Sequence, residues 1–158
     1  KVFKLKNSKN VCVGFTSSFR MGDILRYNSE LSTPDEILTH ETVVIKFVPR
    51  IIKVFSENGY QRTNSNVISG GTFLIAQEDR LFKVDSDYQV GEANDLYDAC
   101  GCGYIAALAS LNTTEKMNMS PIERLRLALQ SATKYIPGVE PPFYIINTKD
   151  DKVVKFTN

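Results

Sequence analysis

The stretch VISGGTFLIAQEDRLFKVDSDYQV, residues 67–90, decides the fold class. Upstream of it the apolar spacing is helical; from Val67 onward it becomes that of strands. Val67–Ala76 reads as one long strand interrupted by Gly70-Gly71, a pair that suggests a bulge or a close backbone approach. Arg80–Val84 and Tyr88–Val90 read as short strands around the turn Asp85-Ser86-Asp87. Before the stretch, Val43, Val44, Phe47, Val48, Ile51, Ile52 and Phe55 recur at helical spacing up to a stop at Gly59. Pro49 falls inside that pattern, so the helix either kinks there or restarts with Pro49 in a first turn. Thr33-Pro34-Asp35-Glu36 has the form of a capping box with proline at the first helical position. Nearer the start, Val2–Leu5 and Val11–Phe15 predict a hairpin around Asn7-Ser8-Lys9-Asn10. Thr16, Ser17 and Ser18 offer capping oxygens to a helix of about Phe19 to Asn28.

After the stretch, Leu96–Cys100 predicts another strand, and Gly101-Cys102-Gly103 leads into a small-residue helix, Tyr104–Leu111. Ser120-Pro121-Ile122-Glu123 is the clearest capping box of the chain. It opens a helix with Ile122, Leu125, Leu129 and Ala132 on one face, ended by Pro137-Gly138. Phe143–Asn147 and Val153–Phe156 read as closing strands. Strands grouped in sheets and helices grouped in pairs predict a layered α+β fold rather than alternating βαβ units. The 158 residues suit a single domain, residues 1–158, without repeats or linkers.

Composition narrows the function classes. Nineteen basic and eighteen acidic residues leave a net charge of +1, with no basic stripe for nucleic acid; Lys4, Lys6 and Lys9 read as the solvated face of the first strands. Cys12, Cys100 and Cys102 are an odd count, which argues against a disulfide framework and for a reducing, cytoplasmic compartment. With His40 as the single histidine, the chain supplies neither four zinc ligands in a closed arrangement nor a Ser-His-Asp or Cys-His site. No apolar run is long enough to span a bilayer. The expectation is no metal, no cofactor, no membrane and no nucleic acid.

Three stretches resemble one family. Leu74-Ile75-Ala76 followed by Leu81-Phe82-Lys83-Val84-Asp85-Ser86-Asp87 is similar to the paired strands of proteasome β subunits and bacterial HslV-type proteases. Gly101-Cys102-Gly103-Tyr104-Ile105-Ala106-Ala107-Leu108 resembles their Gly-Ser-Gly segment opening a helix. Lys1-Val2, with the hairpin ending in Gly14-Phe15-Thr16-Ser17, resembles the segment that begins with their catalytic lysine. The resemblance covers nearly the whole chain. It implies an N-terminal-nucleophile (Ntn) hydrolase fold, a four-layer αββα sandwich, whose first strands precede Lys1. It also implies a peptidase subunit in a self-compartmentalising ring of identical or homologous subunits, with a polypeptide substrate and an AAA+ unfoldase as partner.

In that family an N-terminal Thr, Ser or Cys attacks with its hydroxyl or thiol, and its own α-amine serves as base. The resemblance gives Lys1 the part of the electrostatic activator, Ser17 that of the backbone N–H of the oxyanion hole, and Cys102 that of a serine in the supporting network. The alternative for Lys1 is a solvated first residue of a strand, for Ser17 a helix cap, and for Cys102 a small core residue. The family also places an Asp, and a Ser three residues on, after the last long helix; Lys134 and Pro137 fall there. A cation in that place opposes the chemistry and motivates a second expectation, an inactive Ntn-fold scaffold forming a structural or interaction ring.

Overall fold

The computed structural model describes residues 1–150 and 152–157. In chain order its elements are β1 (Val2–Lys4), β2 (Val11–Phe15), α1 (Phe19–Tyr27), α2 (His40–Thr42), α3 (Val48–Glu57), β3 (Arg62–Asn64), β4 (Val67–Ser69), β5 (Phe73–Gln77), β6 (Arg80–Val84), β7 (Val90–Glu92), α4 (Tyr104–Thr113), α5 (Pro121–Tyr135), β8 (Phe143–Ile146) and β9 (Val153–Phe156). The architecture is mixed α+β. A five-stranded sheet in the order β1-β2-β5-β6-β7 is antiparallel throughout, and β3-β4 and β8-β9 form separate two-stranded ribbons.

The register of the large sheet follows from its alternation. Val13, Ile75 and Phe82 stand opposite one another, as do Phe73 and Val84. With Val11 they form a buried face that packs on Met21 and Leu25 of α1 and on Ile51, Val54 and Phe55 of α3. A slip of one residue would turn all six strand residues to the other side. At about 1.5–3 kcal/mol for each buried side chain, that cost exceeds anything the turns contribute. The opposite face carries the row Val2, Gly14, Leu74, Lys83 and Gly91. Across a shared hollow this face looks toward the contacting helices α4 and α5 and toward β8. Strand β1 contacts β8 and α5 contacts β8, so the second layer closes around the β1 edge.

Several elements lie where the sequence places them. Ser18 caps α1 by accepting the Met21 N–H, and Ser120 and Glu123 cap α5 reciprocally. Pro49 stands in the first turn of α3, after a π-helical turn over Val43–Phe47 in which the Val48 N–H reaches the Val43 carbonyl. A proline ring crowds the carbonyl four residues back, and the wider turn relieves that contact. His40 is exposed at the start of α2, its Nε2 3.2 Å from the Val90 carbonyl.

Other expectations are corrected. No helix starts at Thr33-Pro34-Asp35-Glu36. The Glu36 carboxylate is taken by Arg50 and Lys46, so it does not reach back to the Thr33 N–H, which donates to Ser8 Oγ. The helix begins instead at a reciprocal cap between Thr39 and Thr42. Val67–Ala76 is two strands in different sheets, parted at Gly70-Gly71. A Cβ on Gly71 would lie 2.5 Å from Met21 Sδ, so the close-approach reading of that pair holds. Tyr88 (φ 68°) still belongs to the turn, and the strand runs over Val90–Glu92, pinned by the Arg80–Glu92 pair at 2.7 Å. Leu96–Cys100 is not a strand: Leu96 has φ 61° and is exposed. Strand β3 escapes sequence reading because Arg62, Thr63 and Asn64 are all exposed and show no apolar period. It forms because Ser65 and Asn66 take positive φ in the tight turn to β4. Among the described residues no helix is long and apolar enough to cross a membrane.

Candidate active site

The site is built where β2 ends. Ser18 N–H donates to the Thr16 carbonyl at 2.9 Å, a tight turn centred on Ser17, whose φ is +65°. Left-handed backbone is costly for a residue with a Cβ and clusters at functional positions. Among the described residues the Ser17 N–H makes no hydrogen bond. The turn therefore presents a backbone donor at the surface.

The loop before α4 comes against this turn. Gly101 has φ +104°, and a Cβ there would lie 2.9 Å from Thr16 Oγ1. A Cβ on Gly103 would lie 2.9 Å from both Ala132 Cβ on α5 and Val139 Cγ2. Both positions need glycine, one to reach Thr16 and one to reach α5, and Cys102 is held between them. Its side chain is exposed.

Two hollows meet at this loop. The larger, about 510 Å³, is an apolar slot between the open face of the sheet and the second layer. Val2, Gly14 and Leu74 form one wall, Leu125, Leu129 and Ala132 of α5 the other, and Tyr144, Ile145 and Ile146 of β8 a third. Lys1, Cys102, Asp98 and Glu140 also line it. The smaller hollow, about 420 Å³, is a polar recess bounded by Thr16, Ser17, Thr72, Lys83, Asp85, Cys102 and Tyr104. The loop 99–102, Thr16 and Tyr104 belong to both. The three residues singled out from the sequence thus lie around one loop, with Cys102 shared by Lys1's slot and Ser17's recess.

Lys1 is anchored in two ways. Its carbonyl accepts the Phe15 N–H at 3.0 Å, and its Nζ stands 5.0 Å from the centre of the Phe19 ring on α1. The ammonium is therefore held at the β1 edge by an aromatic face. Lys134 and Pro137 do not line either hollow. Lys134 is exposed in the last turn of α5, 5.6 Å from the Tyr135 ring, where a cation suits the helix C-terminus. The acidic residues among the slot's lining are Asp98 and Glu140.

Two expectations follow from this geometry. Ser17→Gly relieves the left-handed cost and keeps the N–H, so it is expected to stabilise the fold by about 1 kcal/mol, read as a raised denaturant midpoint. Iodoacetamide at pH 8, followed by peptide mapping, is expected to label Cys102 ahead of Cys12 and Cys100. Burial, helped by Asp98, pushes the Cys100 thiol up from 9.0 to about 11, and burial also raises Cys12. A folded value above the unfolded one means that the Cys100 contribution to stability is complete below about pH 9 and is lost as pH rises toward about 11. Equal labelling of all three cysteines would contradict the placement.

Sequence reading missed Asp98, Glu140 and Thr72 at the site, since none falls in a spacing with chemical meaning, and it took Thr16 only as a cap and as part of the hairpin's end. Lys83 and Asp85 carried a weak signal: they alternate with buried Phe82 and Val84, which puts both on the open face of the sheet.

No family model matches the chain, and no curated protein matches it. Solved structures do. Thiobacillus denitrificans BPH superposes with a TM-score of 0.69 at 18% identity, over 99% of this chain and 77% of that one. Thiobacillus denitrificans BPH in complex with epoxomicin gives 0.66 at 16% identity, over the same shares of the two chains. At such identities the likeness is one of fold: this chain has the fold of Thiobacillus denitrificans BPH over nearly its whole length.

Proposed function

We propose that this chain is the body of an N-terminal-nucleophile peptidase subunit of the proteasome β/HslV kind, a four-layer αββα sandwich working in a ring of like subunits on polypeptide substrates. The observation that carries the proposal is that Lys1, the unpaired Ser17 N–H and Cys102 lie around the loop 99–102, where the apolar slot and the polar recess meet. The fold neighbour in complex with epoxomicin supports it further.

In this reading the nucleophile is a Thr, Ser or Cys on a strand ahead of Lys1. That strand lies along β1, whose outer edge pairs with no strand among the described residues. The hydroxyl or thiol adds to the scissile carbonyl, and its proton passes to the nucleophile's own α-amine. The Ser17 N–H receives the developing oxyanion. The α-amine then returns the proton to the leaving amine, and water hydrolyses the acyl-enzyme by the same path in reverse. Lys1 lowers the energy of the deprotonated nucleophile. Cys102 is a weaker hydrogen-bonding partner than serine and supports the network less firmly.

The test is the intact mass and first residue of the native protein. A mature chain longer than the present one and beginning with Thr, Ser or Cys is expected. A mature chain beginning with any other residue would overturn the peptidase reading in favour of a ring scaffold without chemistry.

A further inference from the structure

The polar recess beside the slot has a chemical character of its own. Lys83 and Asp85 stand on the open face of the sheet with Nζ and Oδ2 3.8 Å apart, and each side chain is partly exposed, at 30% and 42%. The separation is longer than a tight ion pair, and each partner keeps hydrogen-bonding capacity facing the recess. Thr16 and Thr72 add hydroxyls to its wall. Lys83 follows Leu74 in the cross-strand row Val2, Gly14, Leu74, Lys83. The row therefore runs from the apolar slot directly into the polar recess. Ser17, with its unpaired N–H, stands on the recess side of the shared loop.

We infer that this recess is a side-chain subsite for the polypeptide substrate and that it selects a carboxamide, Asn or Gln, at one position beside the scissile bond. The inference rests on the peptidase reading above. A chain whose carbonyl oxygen is held by the Ser17 N–H passes over the loop 99–102, and a neighbouring side chain falls into the recess. A carboxamide offers a carbonyl oxygen to the Lys83 ammonium and an N–H to the Asp85 carboxylate at once. An acidic or basic side chain satisfies one partner and repels the other. An apolar one desolvates both and leaves them only their mutual 3.8 Å contact, which is the arrangement by which a site built for hydrogen bonds rejects an analogue lacking them.

The experiment is cleavage of a mixed peptide library by the full-length protein, with products read by mass spectrometry. The natural protein is expected to enrich Asn and Gln over Leu at one position by about 10-fold. Lys83→Met leaves a lone carboxylate and is expected to move the preference to Lys and Arg. Asp85→Asn leaves a lone ammonium and is expected to move it to Asp and Glu. The charge-swapped double variant, Lys83→Asp with Asp85→Lys, keeps the pair and is expected to keep the amide preference, which guards against a fold defect in either single variant. Cleavage with one unchanged profile in all four proteins would overturn the subsite alone. Absence of cleavage in the natural protein, with no change of mass on incubation with epoxomicin, would overturn the peptidase reading and the subsite with it.

Discussion

Replacing Lys1 with methionine in the full-length protein is expected to lower kcat for peptide hydrolysis about 10²–10³-fold, the range seen when one preorganised electrostatic group of an acyl-transfer site is removed. Methionine keeps an unbranched stem to lie over the Phe19 ring, where Nζ now stands 5.0 Å from the centroid, and the main-chain pairing of Lys1 with Phe15 is untouched. What is lost is the ammonium beside the Phe19 ring. The structural price is limited to a cation–π contact at an exposed position, about 0.5–1 kcal/mol, so the thermal midpoint moves by only a few degrees. In the proposed peptidase reading the ammonium acts on the nucleophile and not on substrate binding, so KM is expected to stay close to its original value. A variant with kcat within about 3-fold of the natural protein, well short of that range, would mean that Lys1 is only the solvated start of a strand.

Phe55→Ala is expected to cost about 3–5 kcal/mol, the largest stability loss we anticipate for a single side chain. Phe55 is fully buried on α3, its ring meets Tyr60 edge-on with centroids 4.9 Å apart, and it comes within 3.0 Å of where a Cβ on Gly70 would stand. It therefore joins helix, ribbon base and large sheet at one point. Truncation leaves a cavity that the glycine side cannot fill and removes an aromatic pair as well. Against a total of about 5–15 kcal/mol for a domain, this shifts the urea midpoint strongly with little change in slope. Phe19→Ala, at a position 67% exposed, is the contrast and is expected to change stability by less than about 1 kcal/mol. Equal losses for the two would contradict the placement of the core.

The elements legible in the sequence were those whose signals are local. Ser120 and Glu123 cap α5 as their spacing predicts, and Ser18 caps α1, because these bonds form within one helical turn. The strands β2, β5 and β6 were legible because one face of each is buried against α1 and α3. Where a distant partner decides, local reading failed. Glu36 has the right spacing to cap Thr33, but Arg50, fourteen residues on, holds it. Leu96 looks like the start of a strand, but it takes φ 61° and lies exposed, and on β7 the Val90 carbonyl meets His40 Nε2. Exposed β3 has no periodicity to read, and its turn residues carry the signal instead.

The candidate site rests on resemblance rather than on local signals. Lys1, Ser17 and Cys102 were named through resemblance, and the fold brings them around one loop. That convergence depends on Gly101 and Gly103, whose missing side chains let the loop touch Thr16 and α5 at once. The register that put Lys134 at the site did not anticipate where α5 ends. The helix runs to Tyr135 and carries Lys134 out to solvent, leaving Asp98 and Glu140 among the slot's lining.

The measurement that bears most directly on the central claim is the intact mass of the full-length protein after incubation with epoxomicin, followed by mapping of the modified residue. One adduct per chain, on an N-terminal Thr, Ser or Cys and lost when that residue is changed to alanine, is the result this account predicts. An unmodified chain, or an adduct confined to the exposed thiol of Cys102, would contradict it.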